Sequence, residues 1–279
     1  MLLIRKIIFG ALLAGAVLPA AAQATDAILR LRDERRRHPE ISSITFPGNT
    51  VWRHAYDAVY SHGAIVENPW AALRIYMNEG HGVDAYLKAT PGLECRQTGF
   101  YTDSIGRSQG LGADVLYVGR SIGAGSFRGF DGAATVALDS VRSRTMSVLN
   151  DSTVELCVEG WLYNGHPIDV VETYTAHSDR RAFDVVVELV GAEAGDFFCT
   201  GVQKLAVDAE GAFSDEGGRK AASSRGANAP DSKRPDELER VALRVASADA
   251  TAVAETPLDY LLVFPAARQI CYTIEVGRP

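Results

Sequence analysis

Short runs of alternating apolar and polar residues recur along most of the chain, and this pattern constrains the fold more than any other feature. A period of two residues is that of a β-strand with one face toward the core. In Phe183–Leu189, for example, every odd-numbered position is apolar. Gly, Asn, Asp and Ser separate the runs, and no long helices alternate with them, which favours antiparallel over parallel sheets. The runs predicted as strands are Ala72–Asn78, Val83–Ala89, Ala113–Val118, Thr135–Leu138, Thr145–Leu149, Val154–Glu159, Asp169–Ala176, Ala182–Val190, Thr200–Val207, Arg240–Ala246, Leu258–Phe264 and Gln269–Val276.

We therefore predict one all-β domain over residues 25–279, folded as a large antiparallel β-sandwich. Such sandwiches often reach roughly 200–250 residues as a single domain. Two segments depart from the strand pattern. Thr25 is a suitable N-cap for a short N-terminal helix over Asp26–Arg37. Residues 208–239 are rich in Gly, Ala, Ser, Pro and charged side chains, which predicts a long exposed loop.

The first 24 residues have the pattern of a secretory signal peptide. Arg5 and Lys6 precede an apolar run over Ile7–Leu18, which is too short to span a bilayer. Small residues follow and end in an A-x-A cleavage site at Ala24. We expect cleavage there and a periplasmic or secreted protein. No later stretch reaches the roughly 20 apolar residues of a membrane helix, so no membrane span is expected.

Charge and motif content exclude several classes of partner. The formal net charge is −7 and no basic block is present, which makes nucleic acid an unsuitable ligand. The sequence contains no HExxH pair, no EF-hand loop and no phosphate-binding loop, and its histidines are scattered. We therefore expect no metal site and no cofactor.

The four cysteines, Cys95, Cys157, Cys199 and Cys271, are too widely spaced for a CxxC metal or redox motif. In an oxidising compartment they could form up to two disulfides in any of three pairings. The alternative is that they are free thiols, since Cys157 and Cys271 lie within apolar runs.

Gly119-Arg120-Ser121-Ile122-Gly123 matches the G-x-S-x-G nucleophile elbow of serine hydrolases. That motif needs a strand before the serine and a helix directly after it. The following Ala124–Gly129 segment is rich in glycine and is a poor helix former. The glycines are therefore better explained as tight turns between strands, with a hydrolase centred on Ser121 as the weaker alternative.

Two amphipathic runs flank Gly80-His81-Gly82 and predict a hairpin with two polar rows on one face. A three-residue loop preserves the apolar pattern better than a four-residue loop. This register would place two cations opposite each other, which suits an anion held between them and is otherwise unfavourable. The competing interpretation is a solvated outer face. The pairs aligned by this loop are Asn78 with Asp84, Tyr76 with Tyr86 and Arg74 with Lys88.

His62 lies just upstream, beside Gly63, which would let a ligand approach closely. Glu67 adds a carboxylate shortly after it. A neutral histidine suits general-base catalysis near neutral pH, although a single histidine at a turn is more often structural.

These segments together resemble a bacterial domain family of unassigned function found in polysaccharide-utilisation proteins, whose members are in some cases joined to hydrolases of unsaturated uronides. The resemblance covers Tyr56–Asp131 and implies a β-sandwich similar to galactose mutarotases and several polysaccharide lyases. It also implies a glycan ligand that contains uronic acid. Gly110-Leu111-Gly112 departs from the tryptophan-glycine pair common in the family. The matching pieces are His62-Gly63 with Glu67, Arg74–Tyr76, Asp84–Lys88, Gly112–Leu116 and Val118–Gly125.

We therefore expect a carbohydrate-active protein that acts on anionic, uronate-containing saccharides by lyase or epimerase-like proton transfer. Arg74 and Lys88 would neutralise the carboxylate, His62 or Tyr76 would remove the proton, and Asp114 would orient a partner. The alternative from a different class is a non-catalytic glycan-binding module that uses the same face. The remaining predicted substrate contacts are Glu67, Asp84 and Tyr86.

Overall fold

The computed structural model describes residues 24–35, 37–48, 50, 57–78, 80–228 and 239–279. In these ranges antiparallel strands form three sheets, and the predicted all-β, sandwich-like fold is confirmed. The predicted signal peptide lies outside the described residues except for its last position. No helix in the described ranges is long and apolar enough to cross a membrane.

The largest sheet contains nine strands, and two further sheets contain five strands each. In chain order the strands are β1 (Asp26–Ile28), β2 (Ser43–Pro47), β3 (Gly63–Glu67), β4 (Ala71–Tyr76), β5 (Val83–Leu87), β6 (Ala113–Asp114), β7 (Arg128–Phe130), β8 (Thr135–Val136), β9 (Ser143–Asn150), β10 (Thr153–Tyr163), β11 (His166–Ala176), β12 (Ala182–Val190), β13 (Phe197–Gln203), β14 (Val207–Glu216), β15 (Arg219–Ala227), β16 (Arg240–Ser247), β17 (Ala252–Glu255), β18 (Asp259–Pro265) and β19 (Gln269–Gly277). The short helices α1 (Cys95–Thr98) and α2 (Ser104–Ser108) lie between β5 and β6. The sheet orders are β14-β15-β16-β19-β12-β11-β10-β9-β2, β1-β3-β4-β5-β6 and β17-β18-β13-β7-β8.

Both five-stranded sheets pack their apolar faces against one face of the nine-stranded sheet, around a shared core. Two isolated backbone bridges, Val83 with Gly123 and Ala124 with Val202, join the small sheets into a second layer. Gly123 has a φ of +66°, and a Cβ there would lie 2.1 Å from the Val83 carbonyl oxygen. Only glycine fits at this junction, because a side chain would separate the two sheets.

The predicted N-terminal helix over Asp26–Arg37 is wrong, because Asp26–Ile28 forms β1 at the edge of the β1-β3-β4-β5-β6 sheet. Ala27 and Leu29 enter the main core, whereas Ile28 enters a second apolar cluster on the opposite face of this sheet. Burial of both faces favours an extended segment over a helix with a single apolar stripe.

The predicted long loop over 208–239 is also wrong for most of its length, because β14 and β15 form a hairpin there. Its turn is Gly217-Gly218, with φ values of +63° and +89°, as expected for a tight two-residue hairpin turn. Small residues such as Ala221 and Ala222 are buried in β15. Because alanine contributes little apolar surface, the alternation of apolar and polar positions is weak in this part of the sequence. Residues 229–238 lie outside the described part of the chain.

All four cysteines are free thiols. Cys95 and Cys199 are buried, whereas Cys271 is exposed and Cys157 is half-buried. The apolar runs around Cys157 and Cys271 form strands whose alternate positions face solvent, and both cysteines lie at such positions.

Candidate functional site

Strands β4 and β5 carry the predicted polar rows, and these rows face away from the main core. Arg74 lies opposite Asp84. The predicted register, which set Arg74 opposite Lys88, is wrong because the connection is longer than three residues: β4 ends at Tyr76 and β5 begins at Val83. The polar rows share one face as predicted, but a cation lies opposite a carboxylate and not opposite a second cation.

A closed hydrogen-bond cluster surrounds the Arg74 guanidinium. Its Nη2 donates to Asp84 Oδ2, to Asp114 Oδ2 at 3.0 Å and to the Tyr76 hydroxyl at 2.6 Å, and Nη1 donates to the Tyr101 hydroxyl at 2.9 Å. The Tyr76 hydroxyl in turn donates to Asp84 Oδ2 at 2.8 Å. The side chains of Arg74 and Asp84 are 4% and 2% exposed, whereas that of Asp114 is 27% exposed. Asp114 is therefore the carboxylate of the cluster that a ligand can reach.

Aromatic rings enclose the same guanidinium. Arg74 Cζ lies 4.9 Å from the ring centroid of Tyr76, 4.4 Å from that of Phe100 and 5.3 Å from that of Tyr101. Phe100 and Tyr101 belong to the α1–α2 segment, and Phe100 packs against the outer face of the sheet. Tyr101 remains 48% exposed, so one aromatic surface is open to solvent beside Asp114 and Arg74.

The Asp114 carboxyl is suited to acid–base chemistry. Burial and the neighbouring Asp84 carboxylate raise the pKa of Asp114 well above its ordinary value, although Arg74 acts in the opposite direction. A carboxyl whose pKa is raised by burial and by a second carboxylate can hold and release a proton closer to neutral pH. The Asp84–Asp114 pair with Arg74 between them has that arrangement.

Tyr76 does not have the properties of the predicted base. Burial and the nearby Asp84 carboxylate raise the pKa of the Tyr76 phenol far above its ordinary value. Its hydroxyl is a hydrogen-bond donor to Asp84, which keeps the phenol neutral. Of the two predicted bases, His62 and Tyr76, only the histidine remains chemically suitable.

His62 lies at the rim of the cluster in an unusual backbone conformation. Ser61 and His62 have φ values of +62° and +66°, in the left-handed region of backbone conformation that residues other than glycine rarely adopt. Such residues cost about 1–3 kcal/mol each and concentrate at functional sites. The buried Ser61 hydroxyl donates to the Gly99 carbonyl oxygen at 2.5 Å, which fixes the turn. The His62 ring lies 6.4 Å from the Tyr101 ring, and its Nδ1 is 3.4 Å from Arg32 Nη2.

Three predicted substrate contacts lie in the interior. Lys88 Nζ donates to Glu67 Oε2, and both side chains are fully buried. The Glu67 carboxylate also accepts the backbone N–H groups of Glu94 and Cys95, at the start of α1. Tyr86 is buried and its hydroxyl bonds Thr102 Oγ1 at 2.5 Å, while burial raises the pKa of its phenol. Glu67, Tyr86 and Lys88 therefore anchor the covering α1–α2 segment to the sheet.

Ser121 makes structural contacts. Its buried hydroxyl donates to the Val118 carbonyl oxygen at 2.6 Å, lies 3.1 Å from Gln203 Oε1, and accepts the Gly123 N–H. No helix follows it; the chain continues into the bridge at Ala124. The nucleophile-elbow interpretation is therefore wrong, because the motif serves to join two sheets.

Phe100, Tyr101 and Arg32 were not recognised as site residues from the sequence. The Gly99-Phe100-Tyr101 stretch carries an aromatic pair, but no spacing rule connects it to Arg74. Within the described ranges, no three His, Cys, Asp or Glu side chains are grouped so that they could hold a metal ion.

Comparison with known proteins gives one family match. A family model described as a domain of unknown function (DUF4861) matches residues 16–267. No curated protein matches the chain. Among solved structures, a 4-alpha-glucanotransferase from Thermococcus litoralis is similar with a TM-score of 0.36 and 12% identity, over 78% of this chain and 37% of that enzyme. The chain thus spans well under half of that enzyme, and a similarity of this size carries no argument about function.

Proposed function

This chain belongs to the domain family DUF4861, and from that premise we propose that it is an exported carbohydrate-active protein whose site is the Arg74–Asp84–Asp114 cluster. We propose further that it transfers a proton on a saccharide, as a lyase or an epimerase-like enzyme does, with Asp114 as the acid–base group. The observation that carries this proposal is the partly exposed Asp114 carboxyl, held at 3.0 Å by Arg74 beside the open ring of Tyr101.

The surroundings of Asp114 suit a sugar. A pyranose ring presents an apolar face and several hydroxyls, so it is bound by aromatic rings and by carboxylates that accept hydrogen bonds. Tyr101 supplies the aromatic surface, and Asp114 supplies the acceptor. His62, at the rim, adds an imidazole, the side-chain type most often used in general acid–base catalysis. In this arrangement His62 removes the C–H proton of the saccharide. Asp114 gives its proton either to the leaving oxygen as the C–O bond breaks, as in a lyase, or to the opposite face of the same carbon, as in an epimerase.

Arg74 and Asp84 act as positioning residues. Their side chains are almost fully enclosed, so they fix the Asp114 carboxyl and set its protonation without reaching the ligand.

The proposal of a uronate ligand rests on the sequence resemblance. Asp84 and Asp114 offset the single charge of Arg74, and the enclosed Lys88 cannot add a second one. We therefore propose that a uronate binds while Asp114 holds its proton, when the cluster has no net charge.

Incubation of the mature protein with neutral and uronate-containing oligosaccharides, read by mass spectrometry, tests the proposal. We expect an unsaturated or epimerised product from the wild type, and a loss of at least about 100-fold in turnover from Asp114→Asn, as is usual when a general acid or base is removed. Asp139→Asn removes an exposed carboxyl elsewhere and should retain full turnover. Full activity of Asp114→Asn would overturn the assignment.

The alternative is a non-catalytic glycan-binding module. The observation that favours it is that Arg74 Nη1 and Nη2 hold the Tyr101 hydroxyl and the Asp114 carboxylate, which makes these two side chains a fixed docking surface. In that case the wild type would bind a saccharide saturably without forming product, and Tyr101→Ala would weaken binding more than Asp114→Asn.

A further inference from the structure

A groove of about 680 Å³ crosses the outer face of the nine-stranded sheet, on the side opposite the shared core. Ligand sites typically have volumes of roughly 300–1,000 Å³. The groove runs over β14, β15, β16 and β19 and reaches the turn before β12. Its charged lining residues are Arg180, Arg181, Glu210, Arg225, Arg244 and Glu275.

Strand register brings these side chains into two adjacent rows. Glu275 lies opposite Arg244 in one row, and Arg225 lies opposite Glu210 in the next. Ala242 separates Arg225 from Gly277 in that second row, so small residues form the floor between the charges. The groove is therefore a shallow surface with charged groups along its length and no bulky side chain across the middle.

The arginines concentrate positive charge on a protein whose net charge is −7. Four arginines and two glutamates line the groove, so cations outnumber anions there. Arg244 pairs with Glu275 at 3.0 Å, Arg225 pairs with Glu210, and Arg180 pairs with Asp184 at 2.9 Å. Arg181 is exposed and makes no hydrogen bond or ion pair through its side chain within the described ranges. The paired side chains keep much of their surface exposed, so a ligand can reach them.

We propose that this groove binds an oligosaccharide that carries carboxylate or sulfate groups. Arginine forms bidentate hydrogen bonds with such anions, and the free Arg181 guanidinium offers the first contact. Glu210 and Glu275 accept hydrogen bonds from sugar hydroxyls between the anionic groups. Sites for single-stranded nucleic acid combine cations with stacking aromatic rings, and neither an aromatic ring nor an uninterrupted basic surface is present in this groove. The proposal does not depend on the Asp114 site, which lies on the outer face of the opposite layer.

Equilibrium binding at about 0.15 M salt tests this groove. The probes are oligogalacturonate and a heparin-derived oligosaccharide, with a neutral maltooligosaccharide and single-stranded DNA as comparisons. We expect saturable binding of an anionic saccharide, weakened at least tenfold in the double variant Arg181→Gln, Arg244→Gln. The control double variant Arg142→Gln, Arg268→Gln removes the same charge from exposed positions outside the groove and should change binding less than twofold.

A further measurement locates the site. Hydrogen exchange of the wild type should show ligand protection in β14, β15 and β16, independently of any variant. Absence of binding, equal binding of the neutral sugar or DNA, equal weakening of binding in the control variant, or ligand protection that is absent from β14, β15 and β16 would each overturn the proposal.

Discussion

Replacing Lys88 by methionine distinguishes between two roles for this residue, contact with substrate and internal support of the fold. From the sequence, Lys88 is a cation that contacts substrate; in the structure it is an internal anchor. Its Nζ donates to Glu67 Oε2 and to the carbonyl oxygens of Asn68, at 2.6 Å, and Gly92. Lys88→Met has a similar length but no charge, so it leaves Glu67 ionised in the interior and two carbonyl groups without a donor.

The expected cost follows from that environment. Removal of one partner of a buried ion pair typically costs about 3–5 kcal/mol, because the remaining charge stays buried without compensation. A domain has about 5–15 kcal/mol of total stability, so the variant should lose a large fraction of it. Adding Glu67→Gln should recover part of the loss, since no uncompensated charge would remain. Lys204→Met is the control: Lys204 pairs with Glu255 at the surface, and breaking such a pair costs at most about 1 kcal/mol.

Urea denaturation followed by tryptophan fluorescence measures these differences. If Lys88→Met unfolds within about 1 kcal/mol of the wild type, with the same dependence on urea, the buried-anchor account is refuted. The sequence-based account of an accessible, substrate-facing lysine would then stand. A loss of saccharide turnover without a loss of stability would lead to the same conclusion.

Three further predictions concern the junction and the site. Ser121→Ala should lower the free energy of unfolding by about 1 kcal/mol in urea denaturation. A fluorophosphonate probe should not label the wild type, and labelling would support a serine hydrolase centred on Ser121. Gly123→Ala should cost more than about 2 kcal/mol because its Cβ meets the Val83 carbonyl; a neutral effect would contradict the junction. The raised pKa of Asp114 makes the folded state bind more protons than the unfolded chain, so stability should fall as pH rises above about 4. Asp114→Asn should flatten that slope, and an unchanged slope would contradict the raised pKa.

Most of the fold was predictable because strand periodicity is a local property. The runs predicted over Val154–Glu159, Asp169–Ala176 and Ala182–Val190 all form strands of the nine-stranded sheet. The hairpin of β14 and β15 was missed because its buried side chains are small, so burial there leaves little apolar signal. The strand β1 was missed because its extended form depends on partners about 40 residues away, at Ile65–Glu67.

The candidate site was predictable only in part. Alternation along β4 and β5 correctly put Arg74, Tyr76 and Asp84 on one face, since that depends on strand period alone. The register of the hairpin depends on the turn, and the turn extends beyond the two glycines. Phe100 and Tyr101 enter the site from a segment that Glu67 and Lys88 fix in place, and such a tertiary contact has no local sequence signal.

The two proposed saccharide surfaces occupy opposite outer faces of one sandwich, with the shared core between them. A short oligosaccharide bound in the arginine groove cannot reach Asp114 of the same molecule, so the groove should not affect its turnover. A long polymer can bind the groove and present other segments at the opposite face, which raises the effective concentration of substrate. The double variant Arg181→Gln, Arg244→Gln should therefore slow turnover of an anionic polymer at substrate concentrations below saturation. Its turnover of short oligosaccharides should equal that of the wild type. Equal slowing on both substrates would show that the groove belongs to the catalytic site, and would contradict two independent faces.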